Sequence, residues 1–159
     1  MPDAFQACVR TPFATLGITA TERFVTGLRI LAPSVPAKAP PKDTIAYLAC
    51  VQLQSYLSNG RFVFDIPYKL AGTHHRLQVW EAMCRIPAGQ VRSYGDVAAE
   101  LHSSARAVGG ACGANPIPVI VPCHRIIGSN NTLGGFMGAA KDGFEHGVKR
   151  WLLRHEGFI

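Results

Sequence analysis

Residues 115–125 read Asn115-Pro116-Ile117-Pro118-Val119-Ile120-Val121-Pro122-Cys123-His124-Arg125, and no other stretch narrows the folding options so far. Proline lacks the amide hydrogen that a helix needs, and it pushes the residue before it towards β or polyproline geometry. Three prolines within seven residues therefore predict an extended segment. The segment is apolar up to Pro122 and then delivers a thiol, an imidazole and a guanidinium in succession. The rest of the chain has to be arranged around that triplet.

Before this segment two kinds of pattern alternate. Residues 12–31 predict a β-hairpin: Leu16, Ile18 and Ala20 share one face, Thr21-Glu22-Arg23 turns, and Phe24, Thr26, Leu28 and Ile30 return. Residues 32–42 hold four prolines and predict a loop. Asp43 or Thr44 can cap a helix carrying Ile45, Ala49, Leu53 and Tyr56 on one face, stopped by Asn59-Gly60. Phe62, Phe64 and Ile66 read as one more short strand. Ala71-Gly72 marks the domain boundary, beyond which the pattern is helical. Thr73 can cap a helix with Leu77, Trp80 and Cys84 inward. Ser93, with Asp96 three residues on, predicts a capping box for a helix with Val97 and Leu101 inward. His102-Ser103 turns, and Ser103 or Ser104 caps a helix to about Cys112. Two short helices joined so tightly resemble a helix-turn-helix. Asp142 with Glu145 can cap a last helix bearing Val148, Trp151, Leu152 and His155, ended by Gly157.

Composition sets the outer limits. With 48% hydrophobic and 16% charged residues, the 159-residue chain is expected to fold as a globular protein without disulfide or metal support. No apolar run approaches the ~20 residues that span a bilayer, so no membrane association is expected. The first eight residues lack a basic stretch followed by an apolar one, which predicts no secretion signal and a cytoplasmic location. The net charge of +6 is dispersed and suits either phosphate contacts or a merely basic enzyme. Five cysteines at positions 8, 50, 84, 112 and 123, with no Cys-x-x-Cys pair, argue against a disulfide framework and a zinc site. Cys50, Cys84 and Cys112 read as buried fillers, and nothing in the spacing makes ligands of Cys8, His74 and His75.

Cys123 stands apart. A free thiol titrates near ~8.5 and is only slightly nucleophilic at neutral pH. Lowering that value by two units takes about 2.7 kcal/mol of differential stabilisation. A neighbouring histidine can take the proton, above all when a carboxylate orients its far nitrogen. Cys123 and His124 form such a pair only if the backbone bends or a water bridges them, since adjacent strand residues face opposite ways. Glu156, in Arg154-His155-Glu156-Gly157, is the candidate carboxylate. For an isolated Cys-His pair the ordinary explanation is a buried thiol and a satisfied core histidine. Rigid placement beside a helix-turn-helix favours instead a nucleophile acting on DNA.

The segments 115–125, Arg106-Ala107-Val108-Gly109-Gly110, Arg92-Ser93-Tyr94-Gly95 and Lys149-Arg150-Trp151-Leu152-Leu153-Arg154-His155-Glu156-Gly157 together resemble the 6-O-alkylguanine-DNA alkyltransferase family. The resemblance covers residues 72–159 nearly throughout, whereas residues 1–71 match only as a shorter, variable domain. It implies an α+β fold: a small sheet-plus-helix scaffold domain over 1–71, and a mostly helical, winged-helix-like domain over 72–159. It implies repair of 6-O-alkylguanine, and of 4-O-alkylthymine, by irreversible transfer of the alkyl group to Cys123, one turnover per molecule. His124 would take the thiol proton through a water, Glu156 would orient His124, and Asn115 would hold the turn. Tyr94 would hydrogen-bond the departing base, and Arg106 would fill the stack vacated by the flipped nucleotide. Further DNA contacts are expected from Ser93, Ala105, Ala107, Gly109, Gly110 and Arg125, with the recognition helix in the minor groove.

The helix 105–112 carries a single charge, Arg106, so it is poorly equipped to read base edges. Its small residues permit close, sequence-independent approach to the backbone, although mere helix packing explains a Gly-Gly pair as well, and Tyr94 alone reads as a half-buried helix aromatic. The segment 133–147 is several residues longer than the family pattern; its Phe136 and Met137, together with Pro118, are the alkyl-pocket residues that the resemblance implies. No cofactor or metal is implied. Expected partners are duplex DNA with a flipped alkylated guanine and single-stranded DNA; a monomer is expected, with clustering along DNA left open. Two other classes compete: a DNA-binding regulator, whose recognition helix should carry base-reading side chains, and a Cys-His hydrolase, which needs an oxyanion hole.

Overall fold

The structure, a computed structural model, describes residues 4–129, 132–134, 136, 137 and 143–159. The chain divides into two compact units, Met1–Leu70 and Ala71–Ile159.

In the first unit β1 (Ala7–Arg10), β2 (Thr15–Ala20) and β3 (Val25–Leu31) form an antiparallel sheet in that order, with Ala7 opposite Ile18 and Leu16 opposite Ile30. One helix, α1 (Ile45–Ser58), packs on it and buries Ala46, Ala49, Leu53 and Tyr56 against Leu16, Ile18, Val25 and Leu28. Thr44 caps α1, its hydroxyl accepting from the Tyr47 amide at 3.2 Å. The hairpin has a bulge: Thr19 pairs with Gly27 but Ala20 with Val25, so Thr26 is the extra residue. That shift reverses the expected face at the start of β3. Val25 is buried and Phe24 lies 36% exposed. Strand β1 had no clear pattern in the sequence. Its outer edge is partly covered by the proline loop, with Cys8 and Lys38 exchanging backbone hydrogen bonds of 3.0 and 2.9 Å.

Residues 62–66 keep the predicted alternation, with Ile66 buried and Val63 exposed, but they form no strand. The Gln52 side chain replaces a neighbouring strand: its Oε1 accepts from the Asp65 and Ile66 amides, and its Nε2 donates to Asp65. A ladder contact appears only further on, where Val25 bridges Tyr68 in parallel.

The second unit holds α2 (His74–Cys84), β4 (Arg92–Ser93), α3 (Tyr94–Leu101), α4 (Ala105–Gly113), β5 (Ile126–Ile127) and α5 (Phe144–His155). The caps follow the residue types. Thr73 accepts from Arg76, Ser93 and Asp96 close a reciprocal capping box, and Ser104 accepts from Ala107. His102 takes the left-handed conformation (φ 53°) that ends α3 and lets α4 follow at once as a helix-turn-helix. Beneath it, Trp80 of α2 is 1% exposed and donates its indole N–H to the Ala111 carbonyl at 2.8 Å. Helix α2 turns differently from expectation: Val79, Trp80, Ala82 and Met83 are buried, while Leu77 and Cys84 face outward. Cys84 is therefore no core filler and Cys50 is only half-buried, whereas Cys8 and Cys112 are buried. In α5 Val148 and Leu152 point inward as expected, joined by His146, Lys149 and Leu153. Gly143 occupies its N-cap without a side-chain bond; the expected cap residue Asp142 lies outside the described residues.

Arg92 and Ser93 pair in parallel with Ile126 and Ile127. This short ladder sets the start of α3, and so Tyr94, beside the chain that leaves Cys123. Among the described residues no helix is long and apolar enough to cross a membrane. Nor, among them, do three or more His, Cys, Asp or Glu side chains group to hold a metal ion.

Candidate active site

The predicted extended segment is a succession of turns. Val121 N–H donates to the Ile117 carbonyl and Cys123 N–H to the Val121 carbonyl, both at 2.9 Å. Val119 adopts φ 75°, a strained conformation for a β-branched residue. Proline excludes a helix but not a turn, and Asn115 decides between turned and extended. Buried at 3% exposure, its amide donates to the Val121 carbonyl at 2.8 Å while its oxygen accepts from the Ile117 N–H at 3.0 Å. One side chain thus clamps the turn from inside.

The chain then bends into a 3₁₀ turn, Cys123–Arg125, which removes the opposite-face problem of a regular strand. Cys123 is 3% exposed, with its Sγ 3.7 Å from the Met137 sulfur. Burial pushes the thiol up to about 11, although a hydrogen bond from Asn115 and the charge of Lys149 pull the other way. At rest the sulfur is therefore protonated rather than held as a thiolate, and its ionisation requires a proton acceptor.

His124 supplies one. Its side chain has no exposed surface, and Nε2 lies 2.7 Å from Glu156 Oε2. Burial opposes a charge on Glu156, but hydrogen bonds and charges from His124 and Arg125 outweigh it and hold the carboxyl at about 2. An ionised carboxylate can only accept, so Nε2 carries the hydrogen and Nδ1 the lone pair. Burial, the largest influence, holds His124 below its ordinary value despite Glu156, so the ring is neutral. Among the described residues Nδ1 is buried without a hydrogen-bond partner. A neutral, oriented imidazole with one open basic nitrogen follows a thiol in a single turn.

Arg125, expected at the DNA, points inward instead. Its Nε and Nη2 bind the two Glu156 oxygens at 2.8 and 3.1 Å, and Nη1 donates to the Ile86 carbonyl at 2.6 Å. Its permanent charge keeps Glu156 ionised whichever state His124 takes.

Tyr94 is half-buried at the start of α3, its ring against Gly134, where a Cβ would sit 3.1 Å from the ring edge. Burial, followed by the two nearby thiols, Cys112 and Cys123, pushes its phenol up to about 12, leaving it a donor. Pro118 and Phe136 are buried, and Met137 (φ 53°) reaches the Cys123 sulfur. On α4, Ala105, Arg106, Ala107 and Gly110 are exposed, and Gly109 is half-buried, its absent Cβ 4.0 Å from Tyr94. Among the described residues, no atom beyond Gly110's chain neighbours and its own helix backbone comes within 4 Å of where a Cβ would stand. Packing within the unit thus does not require that glycine. Lys149 is the site residue that sequence reasoning missed: it is fully buried, and its Nζ donates to the Ile126 carbonyl at 2.7 Å.

Comparison with known proteins agrees with this geometry. Residues 74–158 match the family model described as 6-O-methylguanine DNA methyltransferase, DNA binding domain. A methylated-DNA–protein-cysteine methyltransferase of Salmonella typhimurium is 45% identical over 111 residues, 68% of this chain and 61% of the relative, so the chain spans under two thirds of that protein. The protein of the same name from Mycobacterium bovis is 38% identical over 137 residues, 82% of either chain. The crystal structure of Mycobacterium tuberculosis OGT in complex with DNA superposes with a TM-score of 0.77 at 36% identity, covering 94% of this chain and 90% of that one. A thiol, an oriented imidazole and a helix-turn-helix coincide in the stretch matched by the family model, and on this evidence the chain belongs to the 6-O-methylguanine-DNA methyltransferase family.

Proposed function

We propose that this protein repairs DNA by moving the alkyl group of 6-O-alkylguanine, and of 4-O-alkylthymine, irreversibly onto Cys123. The observation that carries this reading is the open Nδ1 of His124, whose other nitrogen is fixed on Glu156 at 2.7 Å. The Cys123 proton passes to Nδ1, directly or through a water, and Glu156 balances the imidazolium. The thiolate attacks the alkyl carbon, an S–C bond forms as the O–C bond breaks, and the guanine oxygen keeps the electron pair. Tyr94 then donates a hydrogen bond to the departing base. The thioether is not cleaved back to the thiol, so each molecule acts once.

The alkylated oxygen is hidden inside a duplex, which is why we read the substrate as a flipped nucleotide. The exposed, nearly uncharged face of α4, with Ala105, Ala107 and Gly110, supports close approach to a minor groove, and the exposure of Arg106 is consistent with its filling the gap. Ser93 adds a backbone contact, and Phe136, Met137 and Pro118 line the alkyl pocket. Single-stranded DNA is a second substrate. We take the protein to act as a cytoplasmic monomer, nucleoid-associated in a bacterium, with residues 1–71 as scaffold.

Incubation with duplex DNA carrying 6-O-methylguanine is expected to add the mass of one methylene to the peptide containing Cys123. An intact mass unchanged after full exposure rejects alkyl transfer. Cys123→Ser is expected to abolish repair while DNA affinity stays near that of the native protein; repair that survives the substitution rejects Cys123 as acceptor.

A further inference from the structure

Lys149 lies on α5 between buried Val148 and Leu152, with none of its own surface exposed. Its Nζ donates to Ile126, the first residue after the Cys123–Arg125 turn, and stands 5.7 Å from the centroid of the Tyr94 ring. An ammonium is costly to bury, and a carbonyl needs only a neutral donor. Holding α5 to β5 therefore does not by itself explain a lysine. What distinguishes the position is its company. Tyr94 from α3 lies beneath its ammonium, Ile126 holds it directly after the Cys123–Arg125 turn, and its charge acts on Cys112 of α4 and on Cys123 and His124 of that turn.

We infer that Lys149 is a positioning residue of the acceptor site, its buried ammonium supplying the positive charge that the Cys123 thiolate needs while His124 holds the thiol proton. The sign is favourable at both ends of the transfer. Lys149 stabilises the thiolate, and Glu156 offsets the repulsion that Lys149 exerts on the imidazolium. Lys149 and Glu156 thus bracket the charge separation that proton transfer creates. The inference rests on the alkyl-acceptor reading for its purpose, but the charge coupling itself exists without DNA.

Coupling gives it a signature. Burial, against the pull of the two thiols, brings Lys149 down to about 8, and Cys123 stands at about 11. Thiol with neutral amine and thiolate with ammonium contain the same number of protons. Once the pair has lost its first proton, near pH 8, the thiolate fraction stops rising until the second leaves. A thiol facing no titrating lysine gains tenfold in thiolate per pH unit throughout that range.

The measurement is the rate at which iodoacetamide modifies the Cys123 peptide of the whole protein, from about pH 6 to about 10, read by mass spectrometry. In the native protein the rate is expected to climb to about pH 8 and then flatten. Lys149→Arg, whose charge does not titrate, is expected to lose the flattening but keep the neutral-pH rate. Lys149→Met is expected to lose both, with a rate at neutral pH roughly tenfold or more below native. A native profile that rises without a break through this range, superposing on that of Lys149→Met, overturns the inference. If thermal melting shows that Lys149→Met does not fold, the native and Lys149→Arg profiles decide alone, and two unbroken profiles overturn it equally. Failure of methyl transfer from DNA would instead sink the proposed function while leaving these profiles untouched.

Discussion

Asn115 shows how much a single amide can fix. It supplies a donor and an acceptor to two buried backbone groups, on either side of a turn whose central Val119 is strained. Asn115→Ala leaves the Ile117 N–H and the Val121 carbonyl without partners in the interior and is expected to destabilise the fold by about 2–4 kcal/mol. Asn115→Asp keeps the acceptor but points a second oxygen at the Val121 carbonyl, so its urea midpoint should fall at least as far. Glu156 carries the acid sensitivity. Its folded value of about 2 is below its unfolded one, so its stabilisation is complete above the unfolded value, near 4.5, and is lost as pH falls towards 2. That amounts to about 3 kcal/mol. His124, held below its ordinary value, adds a slope of the same sign beginning nearer pH 6.5. Urea midpoints measured against pH should show this acid limb, and Glu156→Gln should flatten its lower part while lowering stability at neutral pH. That a thiol, an imidazole and a carboxylate meet here was readable in Cys123, His124 and Glu156, because nucleophilic thiol chemistry needs those residue types together. Lys149 was not, because a lysine beside an arginine in an amphipathic helix looks like part of a solvated face. The inward turn of Arg125 was equally invisible, since nothing in a linear sequence says which guanidinium meets Glu156.

At the scale of the element, caps and turns were the legible part. Thr73 and Ser93 cap where expected, with the Asp96 carboxylate closing the box, and Thr44 and Ser104 are the ones used of the two candidates at each of their helices, because capping is local and needs no tertiary information. Long-range effects were hidden. The bulge at Thr26 reversed the face at Phe24, the Gln52 side chain replaced a strand partner for residues 62–66, and Asn115 curled a segment whose prolines merely forbade a helix. Helix α4 offers the sharpest test at this scale. Glycine inside a helix is destabilising, and around Gly110 the unit leaves the space of a methyl group open. Gly110→Ala is therefore expected to raise stability by about 0.5–1 kcal/mol. If that face lies against DNA, the same substitution weakens binding to a duplex, so the melting temperature and the affinity move in opposite directions. A variant that gains stability with unchanged affinity would remove α4 from the interface. Arg106→Ala separates the second role of this helix: duplex repair should suffer more than reaction with free 6-O-benzylguanine, whose base needs no flipping. Equal losses would count against the gap-filling role.

For the whole molecule the question is how a net charge of +6 is spent. In the second unit Arg85 and Arg92 are tied to Glu100, Arg125 to Glu156, and Lys149 is buried. Of the described cations there, Arg76, Arg106, Arg150 and Arg154 are left exposed. If this unit alone meets DNA, these four, with Lys141 outside the described residues, bound the phosphates it can neutralise. Each neutralised phosphate contributes about −0.9 to the slope of log affinity against log salt concentration, so the slope for duplex binding should be no steeper than about −4.5. That is a shallow dependence for a basic protein, and it follows from charges being committed internally rather than displayed. The first unit carries seven Lys and Arg residues against four acidic ones over residues 1–71. A measured slope clearly steeper than about −4.5 would mean that some of those cations reach phosphate too. Titrating duplex binding across a range of salt concentrations therefore tests whether the first unit is scaffold alone. Charge reversal at Arg23, Arg29 and Lys69, all in that unit, should leave both affinity and slope unchanged if the second unit does the binding by itself.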